Sequence, residues 1–482
     1  MDIERARRQI ATNWSGSIVP TLMDYIRIPN KSPAFDPDWA ARGDMDQAVD
    51  LMTAWARTHG PPGMELEVVR LPGRTPLIFI EVPGAAAGTV LLYGHLDKQP
   101  EFSGWRPGLG PWEPVLEGDR LFGRGGADDG YALFASLGAL SALADQGIPH
   151  GRCVVLIEAS EESGSPDLPA YMDALGDRIA EPELVICLDS GAGNYSQLWC
   201  TTSLRGLVGG TLTVDTLAEG VHSGDAGGIV PSSFRVLRTL LDRLEDPETG
   251  TLLPAKLHVP IPDHRIREAQ GAAAQLGAAA WQRFPYAGET EPVSTDPTTV
   301  LLNRAWRPSL EIIGAAGLPA PESAGNVLRP GTSVKLSIRI PPRVDATRAR
   351  AAIKDLLEDA PPYHAQVRFE PDWAADGWEA PAFAPWLSDA LETASQTWFG
   401  RPAVHTGEGW SIPFMAMLGE RFPTAQFMIT GVLGPGSNAH GPNEFLHIPM
   451  AQGLTGCVAS VIAAHARRGA GASDDSIDSA AP

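Results

Sequence analysis

Three uninterrupted apolar runs mark the first half of the chain: TVLLYG at 89–94, VVLIEAS at 154–160 and LVICLDS at 184–190. Short β-rich runs without polar alternation suit strands buried on both faces, as in a parallel sheet covered by helices. Around them, 44–59 carries helical spacing, while 66–69 and 77–82 read as further strands. The stretch 131–143, YALFASLGALSAL, has the small apolar residues of a helix packed on a sheet. Up to about residue 205 helix-like and strand-like patterns alternate, which predicts an α/β domain with a mostly parallel, helix-flanked central sheet.

Beyond Leu204-Arg205-Gly206 the pattern changes. Segments 207–214 (LVGGTLTV) and 334–340 (VKLSIRI) alternate with period two, the mark of half-exposed strands. Helices are expected at 233–244 and 346–357. An Ala/Gly/Pro-rich insert at 247–299 contains a helical composition, QGAAAQLGAAAWQRF, with no evident chemistry. The predicted organisation is a catalytic domain at 1–205 and 381–466, interrupted by an inserted α+β lid or dimerisation domain at 206–380. Residues 467–482, ending in GAGASDDSIDSAAP, are expected to form a disordered tail.

At 482 residues the chain exceeds one ordinary core, in keeping with two domains. A formal charge of -21 argues against a nucleic-acid partner, which favours a basic face. The start, MDIERARRQIATNW, is a polar amphipathic helix and not an apolar leader, and no apolar run reads as a membrane span. Cys153, Cys187, Cys200 and Cys457 lie in or beside apolar runs and read as buried free thiols, so a reducing cytoplasm is the expected setting.

Each apolar run leads into a polar motif. His95-Leu96-Asp97 follows the first, Glu161-Glu162-Ser163-Gly164 the second, and Asp189-Ser190 ends the third. Two glycine-rich segments add Asp128-Asp129 and Asn438-Ala439-His440-Gly441-Pro442-Asn443-Glu444. Taken singly, each has a plainer reading: a satisfied histidine, acids at a helix start, an aspartate cap. Taken together, two histidines and several carboxylates at strand ends are what a pair of divalent cations needs, because ligands of open α/β sheets gather there.

These segments resemble the di-zinc metallopeptidases that include carnosinases, bacterial dipeptidases, glutamate carboxypeptidase and aminoacylase. The stretch GHLDKQPEFSGWRPGLGPWEPVLEGDRLFGRGGADDG is similar to the carnosinase-type branch, and EESGS, VHSG, NVLRP, SIRIPP, GWSIP and NAHGPNE extend the likeness. The resemblance implies that Asp128 bridges two metals, with His95 and Asp189 completing one ligand set and Glu162 and His440 the other. It implies that Asp97 holds the far nitrogen of His95, that Glu161 is the general base, and that the Asp128–Asp129 peptide is cis. Charge balance agrees: Asp128, Glu162 and Asp189 with one hydroxide nearly neutralise two divalent cations, leaving Glu161 free to move protons. One departure stands out. Carnosinase-like chains carry Lys after the paired Asp, whereas Gly130-Tyr131 follows here.

For substrate, the resemblance implies that Arg339 clamps a terminal carboxylate, helped by Gly409 and Ser411, with Asn326 orienting the backbone. It also implies that His222 reaches across a homodimer to stabilise the oxyanion. Trp105 and Trp112 wall the pocket or pack in the core. The expected activity is metal-dependent cleavage of the amide bond in dipeptides or small N-acylated amino acids. Zn²⁺ is the first choice of metal, with Mn²⁺ or Co²⁺ as alternatives. The competing readings are a deacylase of non-peptide N-acyl amino acids, an amide-forming enzyme of the same family, and a non-catalytic binding protein on this fold.

Overall fold

A computed structural model gives the conformation of residues 1–470. The chain forms two compact units: Met1–Thr202 with Ala380–Thr406 and the stretch from Met417, and Ser203–Glu379 with Gly407–Ala416. Segment 407–416, which the sequence reading leaves in the first domain, falls with the second unit.

The first unit is built on a six-stranded sheet. Its spatial order is Glu65–Val69, Leu77–Val82, Arg152–Glu158, Thr89–His95, Leu184–Cys187, Gln426–Ile429. Thr89–His95 runs parallel to both neighbours, and Leu184–Cys187 is also parallel to Gln426–Ile429. The three apolar runs are thus adjacent central strands, buried almost throughout. Their register pairs His95 with Glu158 and Tyr93 with Cys187. Whatever follows these strands therefore emerges at one edge of the sheet. Only the two strands beyond Arg152–Glu158 join in antiparallel fashion.

Helix Ala132–Asp145 is apolar on nearly every side because it packs between the sheet and the helix Ile448–Ala470. The latter is long and apolar enough, by length and composition, to cross a bilayer, but 72% of its apolar window is buried inside the protein. Two glycines on it permit close packing with helix Pro385–Phe399. A Cβ at Gly453 would lie 2.5 Å from the Phe399 ring, and one at Gly456 would lie 2.2 Å from Trp398. This helix also corrects the expected tail: residues 467–470 are helical, and the remainder of that tail lies outside the described residues. All four cysteines are buried, and among the described residues none is joined in a disulfide.

The second unit is an antiparallel sheet in the order Ser309–Ala316, Gly331–Ile340, Gly206–Asp215, Gln366–Ala375. Strand Gly331–Ile340 alternates half-buried and buried residues without a break, as its period-two sequence predicts. Its inner face joins Val236, Leu237 and Leu240 of helix Ser233–Leu241 and Ile353 and Leu357 of helix Ala346–Glu358 in one core. The insert forms helix Asp263–Leu276, then breaks at Gly277, where φ is +49°, before the short helix Ala279–Gln282.

Candidate metal centre

Strand ends deliver three ligand candidates and the candidate base. His95 is the last residue of its strand, Glu161 and Glu162 sit in the 3-10 turn after Arg152–Glu158, and Asp189 follows Leu184–Cys187 by two residues. Asp128 comes from the tight loop Gly126–Gly130, and the peptide joining it to Asp129 is cis. His440 is presented from a turn in which Asn438, His440 and Asn443 all take left-handed backbone conformations, with φ of 56°, 63° and 63°. Non-glycine residues in that region carry a cost, and they cluster at functional sites.

These side chains converge into two groups that share one carboxylate. His95, Asp128 and Asp189 offer ligand atoms within 4.8 Å of one another, and so do Asp128, Glu162 and His440. His95 Nε2 lies 3.5 Å from Asp128 Oδ1 and 3.8 Å from Asp189 Oδ2. His440 Nε2 lies 3.0 Å from Asp128 Oδ2 and 3.2 Å from Glu162 Oε2. Glu161 belongs to neither group, its Oε2 being 3.9 Å from His95 Nε2.

The donors fit divalent cations on two counts. His95 Nε2 is buried without a hydrogen-bond partner, aimed at three surrounding carboxylates. The cluster also holds more carboxylates than imidazoles, and its protonation responds accordingly. Burial, then repulsion from neighbouring acids, raises Asp189 to about 7 and raises Glu161 and Glu162 above the usual range. Burial opposes the charged form of His95, yet Asp128, Asp97 and Asp189 lift it well above an ordinary histidine. His440 is likewise lifted, to about 12, by Glu162 and Asp128 despite its burial. The imidazoles are drawn toward carrying the positive charge that bound cations supply.

Asp97 approaches the far nitrogen of His95 and makes further contacts. The nearest contact of His95 Nδ1 is the Asp97 backbone oxygen at 3.1 Å, with the carboxylate at 3.5 Å. The carboxylate itself accepts the backbone N–H groups of Glu161 (3.1 Å) and Glu162 (3.0 Å). Asp97 thereby ties the acidic pair to the His95 strand end.

Several supporting residues escaped the sequence reading. Arg124 and Glu444 form a fully buried ion pair at 2.6 Å. Arg124 also donates to Gly441 O and Glu444 accepts from Gly125 N, so the pair joins the loops bearing Asp128 and His440. Removing one partner of such a pair costs about 3–5 kcal/mol. Gln99 Nε2 donates to Glu162 Oε2 at 2.6 Å. Tyr131 donates its hydroxyl to Leu188 O, beside Asp189. At the position of the departure, a Cβ on Gly130 would lie 2.3 Å from the Tyr25 ring and 2.6 Å from Gly125 O, so no longer side chain fits. Glu444, Arg124 and Gln99 lie within the motifs that carry the resemblance and Tyr131 directly follows one, but nothing in the sequence announces their contacts. Trp105 packs beside the Leu109, Phe122 and Phe445 cluster, and the Trp112 ring faces Lys98.

The substrate candidates all lie in the second unit, in two places. Arg339 Nη1 donates to Ser411 Oγ (3.0 Å), which donates to Arg205 O (2.6 Å), while Arg205 Nε donates to Gly409 O (3.1 Å). Arg304 stands nearby, paired with Glu408 at 3.2 Å. Burial, then Arg339 and Arg304, depress Arg205 to about 9. The corner therefore carries excess positive charge. His222 and Asn326 are neighbours elsewhere: His222 pairs with Val327, and Ser223 N donates to Asn326 O at 2.9 Å. The exposed His222 accepts Gly224 N–H on Nδ1, which leaves Nε2 as the donor in the neutral ring.

The model of peptidase family M20/M25/M40 matches residues 91–464, a span that includes every ligand candidate. The chain belongs to this family. It is 26% identical over 398 residues to a cysteinylglycine-S-conjugate dipeptidase of Corynebacterium striatum, covering 78% of this chain and 82% of that one. It is 27% identical over 294 residues to the human Beta-Ala-His dipeptidase, covering 59% of this chain and 56% of the relative. The fold matches the crystal structure of human carnosine dipeptidase 1 with a TM-score of 0.75 at 21% identity, over 97% of this chain and 99% of the other. An M20 peptidase on a mixed α/β fold, similar to carnosinase-type dipeptidases, is thus the identity of the chain.

Proposed function

We propose that this M20 peptidase is a dinuclear metallodipeptidase, hydrolysing the amide bond of dipeptides or similarly small N-acylated amino acids. The observation that carries this reading is the pair of ligand groups sharing Asp128. His95 and Asp189 would hold one ion and Glu162 and His440 the other, with Asp128 common to both groups. Zn²⁺ fits the mixed imidazole and carboxylate donors, as do Mn²⁺ and Co²⁺. When bound, the pair supplies Lewis acidity to the attacking water and the scissile carbonyl. Glu161, free of either group, takes the proton from that water and passes it to the leaving amine. Four buried cysteines, none in a disulfide among the described residues, accord with a reducing cytoplasm.

Arg339 receives the substrate's terminal carboxylate, held in place by Ser411 and favoured by the surplus charge of Arg205 and Arg304. Gly409 presses against Arg304 and Arg205 with no room for a Cβ, and Asn326 orients the substrate backbone. The test is a panel of dipeptides, their C-terminal amides and N-acyl amino acids on metal-reconstituted protein. Dipeptides are expected to lead, whereas strong preference for a non-peptide acyl group would favour a deacylase. On the same panel, Arg339→Ala is expected to lower kcat/KM at least tenfold for free C-termini, the ~1.5–3 kcal/mol of a charged hydrogen bond. The amides are expected to lose much less, and equal losses would make Arg339 structural.

The protein acts as a homodimer in which His222 serves the partner's site. Edge strand Ser309–Ala316 exposes Ile312 and Ile313, an unpaired edge suited to joining a second copy. His222→Ala and Glu161→Ala are each expected to be nearly inactive. An equal mixture after subunit exchange is expected to recover roughly a quarter of wild-type activity, because about half the dimers are mixed and each has one complete site. Exchange without recovery would reject the shared site.

A further inference from the structure

Lys98 has no part in the chemistry above, yet its side chain is completely buried. Among the described residues no carboxylate lies within ion-pair reach of it. A buried ammonium without a counter-ion is expensive, and burial drives Lys98 well below the ordinary lysine value, against the pull of Glu444 and with the push of Arg124.

Its partners are specific. Nζ donates to the backbone oxygens of Tyr25 and Ile28, both at 2.7 Å, where helix Val19–Ile26 ends. A cation there complements the helix dipole. The ammonium also sits 3.7 Å from the centre of the Tyr25 ring and 5.5 Å from that of Trp112. The aliphatic stem lies against Gly125, where a Cβ would be 2.6 Å from Lys98 Cγ and 2.7 Å from Cε. Gly125, at φ +79°, starts the loop that carries Asp128 and accepts Gly130 N–H across it. The Lys98 backbone pairs with Asn30 and Ser32, and Tyr25 Oη and Asn30 Nδ2 both donate to Leu96 O at 2.6 Å, between His95 and Asp97.

We propose that Lys98 is a positioning residue of the metal centre, pinning residues 25–32 beneath the two segments that carry His95 and Asp128 and so setting the separation of those ligands. The pinned segment precedes the family-matched span 91–464. The inference rests on the dinuclear reading of the site.

Lys98→Met tests it, keeping the stem that packs on Gly125 while removing the ammonium. Chelator competition with Zn²⁺ is expected to show about 10–100-fold weaker binding of at least one ion, the usual loss for outer-shell changes. The same variant, saturated with metal, is expected to lose kcat about tenfold or more while KM stays within about threefold. Wild-type metal affinity and kcat in folded Lys98→Met, whatever its melting temperature, would overturn the proposal. If Lys98→Met is insoluble, Lys98→Gln is read in the same assays, and insolubility of both assigns Lys98 to folding and overturns it too. Wild-type protein titrated in parallel separates the two ideas. Failure of the wild type to bind a pair of ions would sink the dinuclear reading, whereas normal binding and kcat in wild type and variant alike would sink only the role of Lys98.

Discussion

Exhaustive chelation is expected to abolish hydrolysis, and added Zn²⁺, Mn²⁺ or Co²⁺ to restore it. The reason lies in the donor set. Stripped of cations, Asp128, Glu161, Glu162 and Asp189 crowd around two imidazoles, and Asp189 rises to about 7 through burial and repulsion. In that state protons occupy groups that the reaction needs as anions, and no Lewis acid polarises the carbonyl. Metal analysis of active protein is expected to approach two ions per chain. Because ligand side chains must give up protons to bind metal, reconstitution is expected to weaken as pH falls. Full activity in thoroughly metal-free protein would end the dinuclear proposal.

What the sequence made legible follows from where the chemistry sits. Thr89–His95, Arg152–Glu158 and Leu184–Cys187 are buried on both faces, so their apolar runs are unbroken and their polar endings stand out. Helix Asp44–His59 is likewise visible by its helical spacing, and strand Leu77–Val82 as one more short, almost wholly buried apolar run. The supporting layer was hidden for the opposite reason. Arg124, Glu444 and Lys98 are buried charges in glycine-rich or irregular segments, where no periodicity exists and a charge reads as solvated. Their partners lie far off in sequence, Arg124 being 320 residues from Glu444. Helix Pro297–Ala305 is not legible because its nine residues straddle the end of the Ala/Gly/Pro-rich insert. The extension of the last helix through Arg467 and Arg468 was obscured by the glycines that follow. Asp97 shows a subtler limit: a motif identified the residue, but only the fold revealed that its carboxylate holds the backbone of Glu161 and Glu162.

That hold is why Glu161→Gln should be an unusually clean test. Asp97 grips Glu161 through its main-chain N–H, so the exchange of carboxylate for amide leaves the turn anchored. Glutamine matches the shape of glutamate but cannot accept a proton at neutral pH. Glu161 stands outside both ligand groups, so metal content is expected to stay near the wild-type value while kcat falls by about 10²–10⁴-fold, the range for a lost acid/base group. Glu162 gives the contrast. Its Oε2 lies 3.2 Å from His440 Nε2 within the second group, so Glu162→Gln is expected to lose affinity for one ion, with partial recovery of rate at high metal concentration. Metal analysis and kcat measured on both variants decide between the two roles. If Glu161→Gln lost the ion and Glu162→Gln kept both but lost the rate, the assignments would have to be exchanged, and the base would be the residue that now faces His440.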